Sequence, residues 1–313
     1  MRKLDCMIHH MLLPACAMIL PSVTDLQLVD FHSIERATMD RLYKMYPNIT
    51  SLKLHATNKL PYFENANVLG QFLEHMSQLD KLSISQPLPS DYPEYMLAIL
   101  GWPVKTIEID VTNAGNGYQR QAQRRLRENI MPRSIVAIRC SRGRTTDGIW
   151  LSQYTVTLQL REGRSWIFTT DNFPRAMQNF AAPFLRETQV DEVVLDGHAA
   201  FAMFYSATRG SALGHIRTIR AVVDGPDSIR VPQQDVNVRG LEKIVLETRP
   251  EHGSRISAST LAKLVSKLKT DKRPDLYLGD TFVYDDEGTH EIGQYANIVD
   301  GQVRKPSWKI VTP

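Results

Sequence analysis

The chain has 313 residues, with 42% apolar and 23% charged side chains and a net charge of +3 from 37 basic and 34 acidic groups. This composition excludes a mostly disordered chain, a collagen and a multi-span membrane protein, and it leaves no strong global field aimed at nucleic acid. Three cysteines are too few, and odd in number, for a disulfide framework, so a reducing compartment, cytoplasm or nucleus, is expected.

Residues 1–22 carry two readings. Arg2 and Lys3, the apolar run over residues 11–20 and the triplet Ala15-Cys16-Ala17 stand in the order of a secretory signal. Asp5, His9 and His10 interrupt that order, and Pro14 cuts the apolar run, which is too short to span a bilayer. We therefore expect an amphipathic N-terminal helix or cap leading into a strand at Val23. Asn48-Ile49-Thr50 is a glycosylation sequon that matters only in a secreted chain.

From Val23 one pattern recurs. Val23, Leu26 and Leu28 are apolar at offsets zero, three and five. So are Ile49, Leu52 and Leu54, then Leu79, Leu82 and Ile84, then Val104, Ile107 and Ile109, then Ile135, Ile138 and Cys140. Later copies are Val190, Val193 and Leu195, then Ile216, Ile219 and Ala221, then Leu241, Ile244 and Leu246. At this apolar content such a triplet arises by chance in about 7% of windows, so the triplet alone decides little. The spacing carries more: successive copies start 26, 30, 25, 31, 55, 26 and 25 residues apart. The gap of 55 spans two repeats, one of them degenerate or replaced. Pro47, Pro103, Pro132, Gly214 and Gly240 stand just before five of the strands, where a preceding helix must end.

Between strands the apolar period lengthens to about 3.6. Ser257 or Ser259 caps a helix whose Leu261, Leu264, Val265 and Leu268 share a face. Val68, Leu69, Phe72, Leu73 and Met76 form a similar face, and Ile34, Ala37, Leu42 and Met45 a looser one. A strand and a helix of this size cannot each bury an apolar side alone. Stacked units therefore give an α/β, leucine-rich-repeat-like solenoid of short parallel strands alternating with helices, with irregular repeats.

Residues 148–172 break the rhythm. Thr155, Thr157 and Gln159 alternate with Val156, Leu158 and Leu160, and Glu162-Gly163 precedes Trp166-Ile167-Phe168. This reads as a hairpin, inserted at the sheet edge or replacing a repeat. Near the C-terminus, Leu276 and Leu278 mark a last strand, residues 284–288 an acidic loop, and residues 292–299 a closing helix. The whole chain reads as one irregular domain: a cap over 1–22, first repeats over 23–147, the hairpin-like unit over 148–172, and later repeats with a C-terminal cap over 173–313.

The units PNITSLKL, SQLDKLSI, HIRTIRAV and RGLEKIVL resemble the leucine-rich repeats of fungal F-box-type proteins, particularly those abundant in basidiomycetes. The order of parts is also similar, with a hairpin-like stretch followed by TQVDEVVLDG, HIRTIRAVVDG and a long final unit. The resemblance covers roughly residues 20–303 and implies repeats that hold a substrate protein for ubiquitylation. In that family a separate F-box helix bundle docks the adaptor of a cullin-type ligase. No F-box is detected before the first strand, so adaptor docking would need that module outside this chain. The consensus also places Asn or Cys three residues after the third apolar position. Phe31, Thr57, Pro87, Thr112, Gly143, His198, Asp224 and Arg249 stand there instead, so that ladder cannot form.

No nucleophile elbow, P-loop, dinucleotide fingerprint or paired-cysteine zinc motif is present. His290-Glu291 opens like a metalloprotease helix, but Gln294 stands where the second histidine would be. Cys6, His9, His10 and Cys16 lack a second half at finger spacing, and Asp285, Asp286 and Glu287 lack the alternation of a calcium loop. No catalytic residue, metal or cofactor is expected, and no membrane partner. The expected activity is protein binding through exposed strand positions after the second apolar residue, which include Lys53, Ser83, Glu108, Arg139 and Arg220. The alternative is a nucleic-acid or acidic-partner surface over residues 120–144. It carries Arg120, Arg124, Arg125, Arg127, Arg133, Arg139, Arg142 and Arg144 against Glu128. Tyr118 is its one aromatic neighbour, so base stacking gains little support.

Overall fold

The structure, a computed structural model, describes residues 3–7, 19–29, 36–55, 77–85, 104–110, 135–144, 150–170, 185, 190–208, 213–223, 228–248, 255–284, 289–301 and 303–304. In chain order the elements are β1 (Lys3–Met7), β2 (Asp25–Val29), α1 (Arg36–Met45), β3 (Ser51–His55), β4 (Lys81–Ser85), β5 (Thr106–Asp110), β6 (Ile135–Arg144), β7 (Trp150–Leu160) and β8 (Ser165–Thr170). There follow β9 (Glu192–Asp196), α2 (His198–Thr208), β10 (Thr218–Val223), β11 (Val236–Asn237), β12 (Lys243–Thr248), β13 (Arg255–Ser257) and α3 (Ala258–Lys267). The last are β14 (Leu268–Lys269), β15 (Asp275–Tyr277), β16 (Phe282–Tyr284), α4 (Thr289–Tyr295), β17 (Asn297–Asp300) and β18 (Val303–Arg304). The fold is α/β, mostly sheet with few helices among the described residues. The chain divides into two compact units, Met1–Met131 with Gln159–Ala176, and Pro132–Leu158 with Met177–Pro313.

In the first unit the strands follow the order β1-β2-β3-β4-β5-β8, every pair parallel. The register sets repeat upon repeat: Leu26, Leu52, Leu82, Ile107 and Trp166 form one row across the sheet. Leu28, Leu54, Ile84, Ile109 and Phe168 form the next. In the second unit β6-β9-β10-β12-β15-β17 are likewise parallel, with β7 beside β6. There Ile138, Val193, Ile219, Ile244 and Leu276 align in one row.

All three apolar positions of all eight repeat copies are buried. Because strand side chains alternate between faces, the second and third positions fill the core while the residue between them turns away. Each such Leu or Ile stabilises by about 1.5–3 kcal/mol on burial. The strand entries are tied together by backbone. Thr50 and Ser51 donate to the Thr24 carbonyl, Asp80 and Lys81 to that of Thr50, and Thr106 to that of Asp80. In the second unit Arg217 and Thr218 donate to Asp191, and Glu242 and Lys243 to Arg217. Side-chain amides add to this at one end: Asn48 Nδ2 donates to the Pro21 carbonyl at 2.9 Å, and Gln78 Nε2 to that of Pro47. An amide ladder thus exists just before the strands, rather than after them where the consensus has it.

Three expectations are corrected. Residues 3–7 are strand, not helix: β1 pairs with β2, Leu4 on Leu26 and Cys6 on Leu28. The neighbour of β5 is β8, not the strand at Ile135, which pairs with β9 instead. Of the two readings of the hairpin, its second strand thus takes the place of a repeat beside β5. Its apolar side is as expected, with Val156, Leu158, Leu160, Trp166 and Phe168 buried. Its turn closes through Leu160 N–H to Arg164 O and Gly163 N–H to Leu160 O, with Gly163 at φ +81°, a conformation that glycine adopts without strain. Finally, residues 292–299 are not one helix. α4 ends at Tyr295 and β17 adds a strand beyond β15, with a register shift between Leu276 and Tyr277.

The helix of the last long repeat forms as its sequence indicates. Ser257 is the cap: its backbone is extended and its Oγ accepts from Thr260 N–H at 3.1 Å. Leu261, Leu264, Val265 and Leu268 are all buried. Ser257→Ala is expected to cost about 1 kcal/mol, read as a lower urea midpoint at unchanged m-value. Leu42 of the looser stripe is buried in α1. The stripe at residues 68–76, Ile34 and the loop at 285–288 lie outside the described residues.

Candidate functional site

The position after the second apolar residue turns away from the core in every repeat. In the first unit it holds Gln27, Lys53, Ser83, Glu108 and Ile167, aligned strand to strand by the register. Lys53 is exposed. Glu108 is half-buried and is held by Lys81 Nζ at 2.9 Å and by Ser83 Oγ, which donates to it at 2.8 Å. Ser83, expected at the surface, is buried, because its short side chain lies beneath that carboxylate.

Burial alone would raise the Glu108 carboxyl. The hydrogen bonds from Lys81 and Ser83 and the charges of Lys81 and Lys53 outweigh it, leaving the group below the ordinary glutamate range. A depressed folded-state value means that the charged partners stabilise the fold above pH 4.5, and that this contribution disappears as pH falls through the folded value. Glu108→Gln is expected to lower stability by roughly 0.5–1 kcal/mol at pH 7, since the pair is partly exposed. The difference from the parent chain should shrink toward zero on acidification below the glutamate range. Urea midpoints across that interval check it.

In the second unit the same position holds Arg139, Val194, Arg220, Val245 and Tyr277, on β6, β9, β10, β12 and β15. Arg220 donates from Nε to Glu192 on one neighbouring strand and from Nη1 to Glu247 on the other, the latter at 3.0 Å. Those hydrogen bonds, Glu192 first, hold the guanidinium still more firmly protonated despite its partial burial. Arg139 reaches Asp196 at 3.3 Å, a carboxylate that is itself almost wholly buried. Lys243 Nζ lies 4.0 Å from the centre of the Tyr277 ring. The exposed pairs among these contribute at most about 1 kcal/mol each, so their main effect is to fix side-chain geometry on the face.

Of the expected binding residues, the register joins Lys53, Ser83 and Glu108 in one row, and Arg139 and Arg220 in another. Val194, Val245 and Tyr277 occupy the same repeat position and are not among the expected residues, although the same spacing rule finds them. The expected residues are all polar or charged, and the apolar and aromatic members of the row stand outside that set. Arg120, Arg124, Arg125 and Arg127 lie outside the described residues. Arg142 and Arg144 fall on β6. Among the described residues no three His, Cys, Asp or Glu side chains converge to hold a metal ion, and no helix is long and apolar enough to cross a membrane. His290 and Glu291 lie on α4. Cys140 is buried, and burial pushes its thiol far up, away from the thiolate a nucleophile needs.

Comparison with family models, with curated proteins and with solved structures finds no match for this chain.

Proposed function

We propose that the chain is a non-catalytic protein-interaction module, a leucine-rich-repeat-like solenoid whose outward strand positions bind a partner protein. The observation that carries this reading is the alignment, residue on residue, of polar, basic and aromatic side chains along the outer face of each parallel sheet. Repeat proteins use such extended faces for recognition. By its resemblance to fungal F-box-type proteins, the bound partner is a substrate for ubiquitylation, and adaptor docking requires an F-box outside this chain. The nucleic-acid alternative rests on the arginines of residues 120–144. Arg139 speaks against it, since its charge is already matched by Asp196.

The test is affinity purification from cells with the parent chain and with Arg139→Glu plus Arg220→Glu, each checked for folding by circular dichroism. The expected result is a protein set lost with the double variant, whose ubiquitylation falls when the chain is depleted. Unchanged recovery with the double variant removes this face from the account. Recovery of nucleic acid with a steep salt dependence would favour the alternative.

A further inference from the structure

We propose that the partner's anchor is an aromatic side chain on a neutral or basic segment, and that it seats over Arg220 between Val194 and Val245. This rests on the reading of the outer face as a protein-binding surface and adds what the face selects.

The two units differ in what they present. The row of the first unit, Gln27, Lys53, Ser83, Glu108 and Ile167, is rich in the residue types depleted at interface centres. The row of the second, Arg139, Val194, Arg220, Val245 and Tyr277, has the arginine and tyrosine found at binding hot spots. Adjacent strands lie about 4.8 Å apart, so Val194 and Val245 stand roughly 10 Å apart with Arg220 between them. That gap admits one ring flanked by two isopropyl groups.

Charge decides what can enter. On the outward positions of β6, β9, β10, β12 and β15 stand Arg139, Arg220 and Lys243 against Glu192, Asp196, Glu247 and Asp275. Acids exceed bases. The Nε and Nη1 edges of Arg220 point to opposite sides and are both taken by carboxylates. An incoming carboxylate or phosphate would meet the negative charges of Glu192 and Glu247 on either side of the remaining Nη donors. The Arg220 side chain keeps 36% of its surface in solvent. A planar cation held at two of its donors by flanking carboxylates still stacks on an aromatic ring, and the two valines supply the apolar contact. Tyr277, steadied by Lys243, closes one end of the row.

The experiment is selection of a random peptide display library on the purified full-length chain, followed by affinity measurement of enriched peptides. Variants are Arg220→Lys, which keeps the charge and loses the plane, Val245→Asp, and the milder Val245→Ser, all checked for unfolding midpoints. The expected result is peptides sharing a Trp, Tyr or Phe without excess acid. Their affinity should fall at least tenfold with Val245→Asp and several-fold with Val245→Ser and Arg220→Lys. Enriched peptides that are acidic, lack an aromatic residue and still depend on Arg220 would overturn this inference and leave the binding face standing. Peptides indifferent to every variant, or no enrichment at all, would overturn the binding face and the inference with it.

Discussion

Gly240→Ala is expected to destabilise the second unit by roughly 2–4 kcal/mol, while Gly214→Ala leaves stability within about 0.5 kcal/mol of the parent chain. The two glycines occupy equivalent places, each just before a strand, in the turns closed by Leu241 N–H to Val238 O and by Ile216 N–H to Leu213 O. Sequence alone cannot tell them apart. Geometry can: a Cβ at Gly240 would stand 2.0 Å from the Gly214 carbonyl oxygen and 2.9 Å from its carbon. These are backbone atoms of the preceding turn, so the overlap is relieved only by separating two stacked repeats. A Cβ at Gly214 meets nothing within 4 Å. Thermal and urea unfolding of both variants check the asymmetry. Equal effects would mean that the turns are not stacked this closely.

Phe168→Ala is expected to cost about 3–5 kcal/mol, the usual range for emptying a fully buried aromatic site. Phe168 is among the largest fully buried side chains and lies in register with Ile109. The same substitution tests the strand order. If β8 is the neighbour of β5, Phe168→Ala and Ile109→Val should be non-additive by roughly 0.5–1 kcal/mol, since contacting residues couple. A double-mutant cycle that sums to zero would contradict that pairing.

Much of this architecture was legible because one signal is strong. A strand packed on one face must place apolar residues two apart, and every repeat must repeat that choice at nearly constant spacing. All eight copies therefore appear as strand entries with buried triplets. The same signal reaches further back than expected. Met1, Leu4 and Cys6 also stand at offsets zero, three and five, and Leu4 and Cys6 do align with Leu26 and Leu28. The basic start and the apolar stretch behind it resembled a targeting segment, and that composition masked the repeat.

The place of the hairpin was not legible for a different reason. Apolar alternation tells which side of a strand is buried, not which strand lies beside it. Ile135–Cys140 and Trp166–Phe168 each carry a suitable pattern, and only the register shows that the second pair-matches Ile107 and Ile109. The C-terminal strand hid similarly, because Asn297–Asp300 has all four residues exposed and so lacks the alternation that marks a strand. For the binding face, spacing locates the row, but polarity alone does not single out its binding members. The apolar Val194 and Val245 and the aromatic Tyr277 gain meaning only once Glu192 and Glu247 are seen to occupy Arg220.

The central claim, that the outward face of the second unit binds a protein, is tested most directly by site-specific photo-crosslinking. A benzophenone amino acid is placed at Val194, at Val245 and, for comparison, at Lys263, an exposed position on α3 away from the row. Irradiation in cells is followed by identification of the adducts. The account expects a common partner crosslinked from positions 194 and 245 and absent from position 263. Adducts formed from position 263 alone, with none from the two face positions, would contradict it.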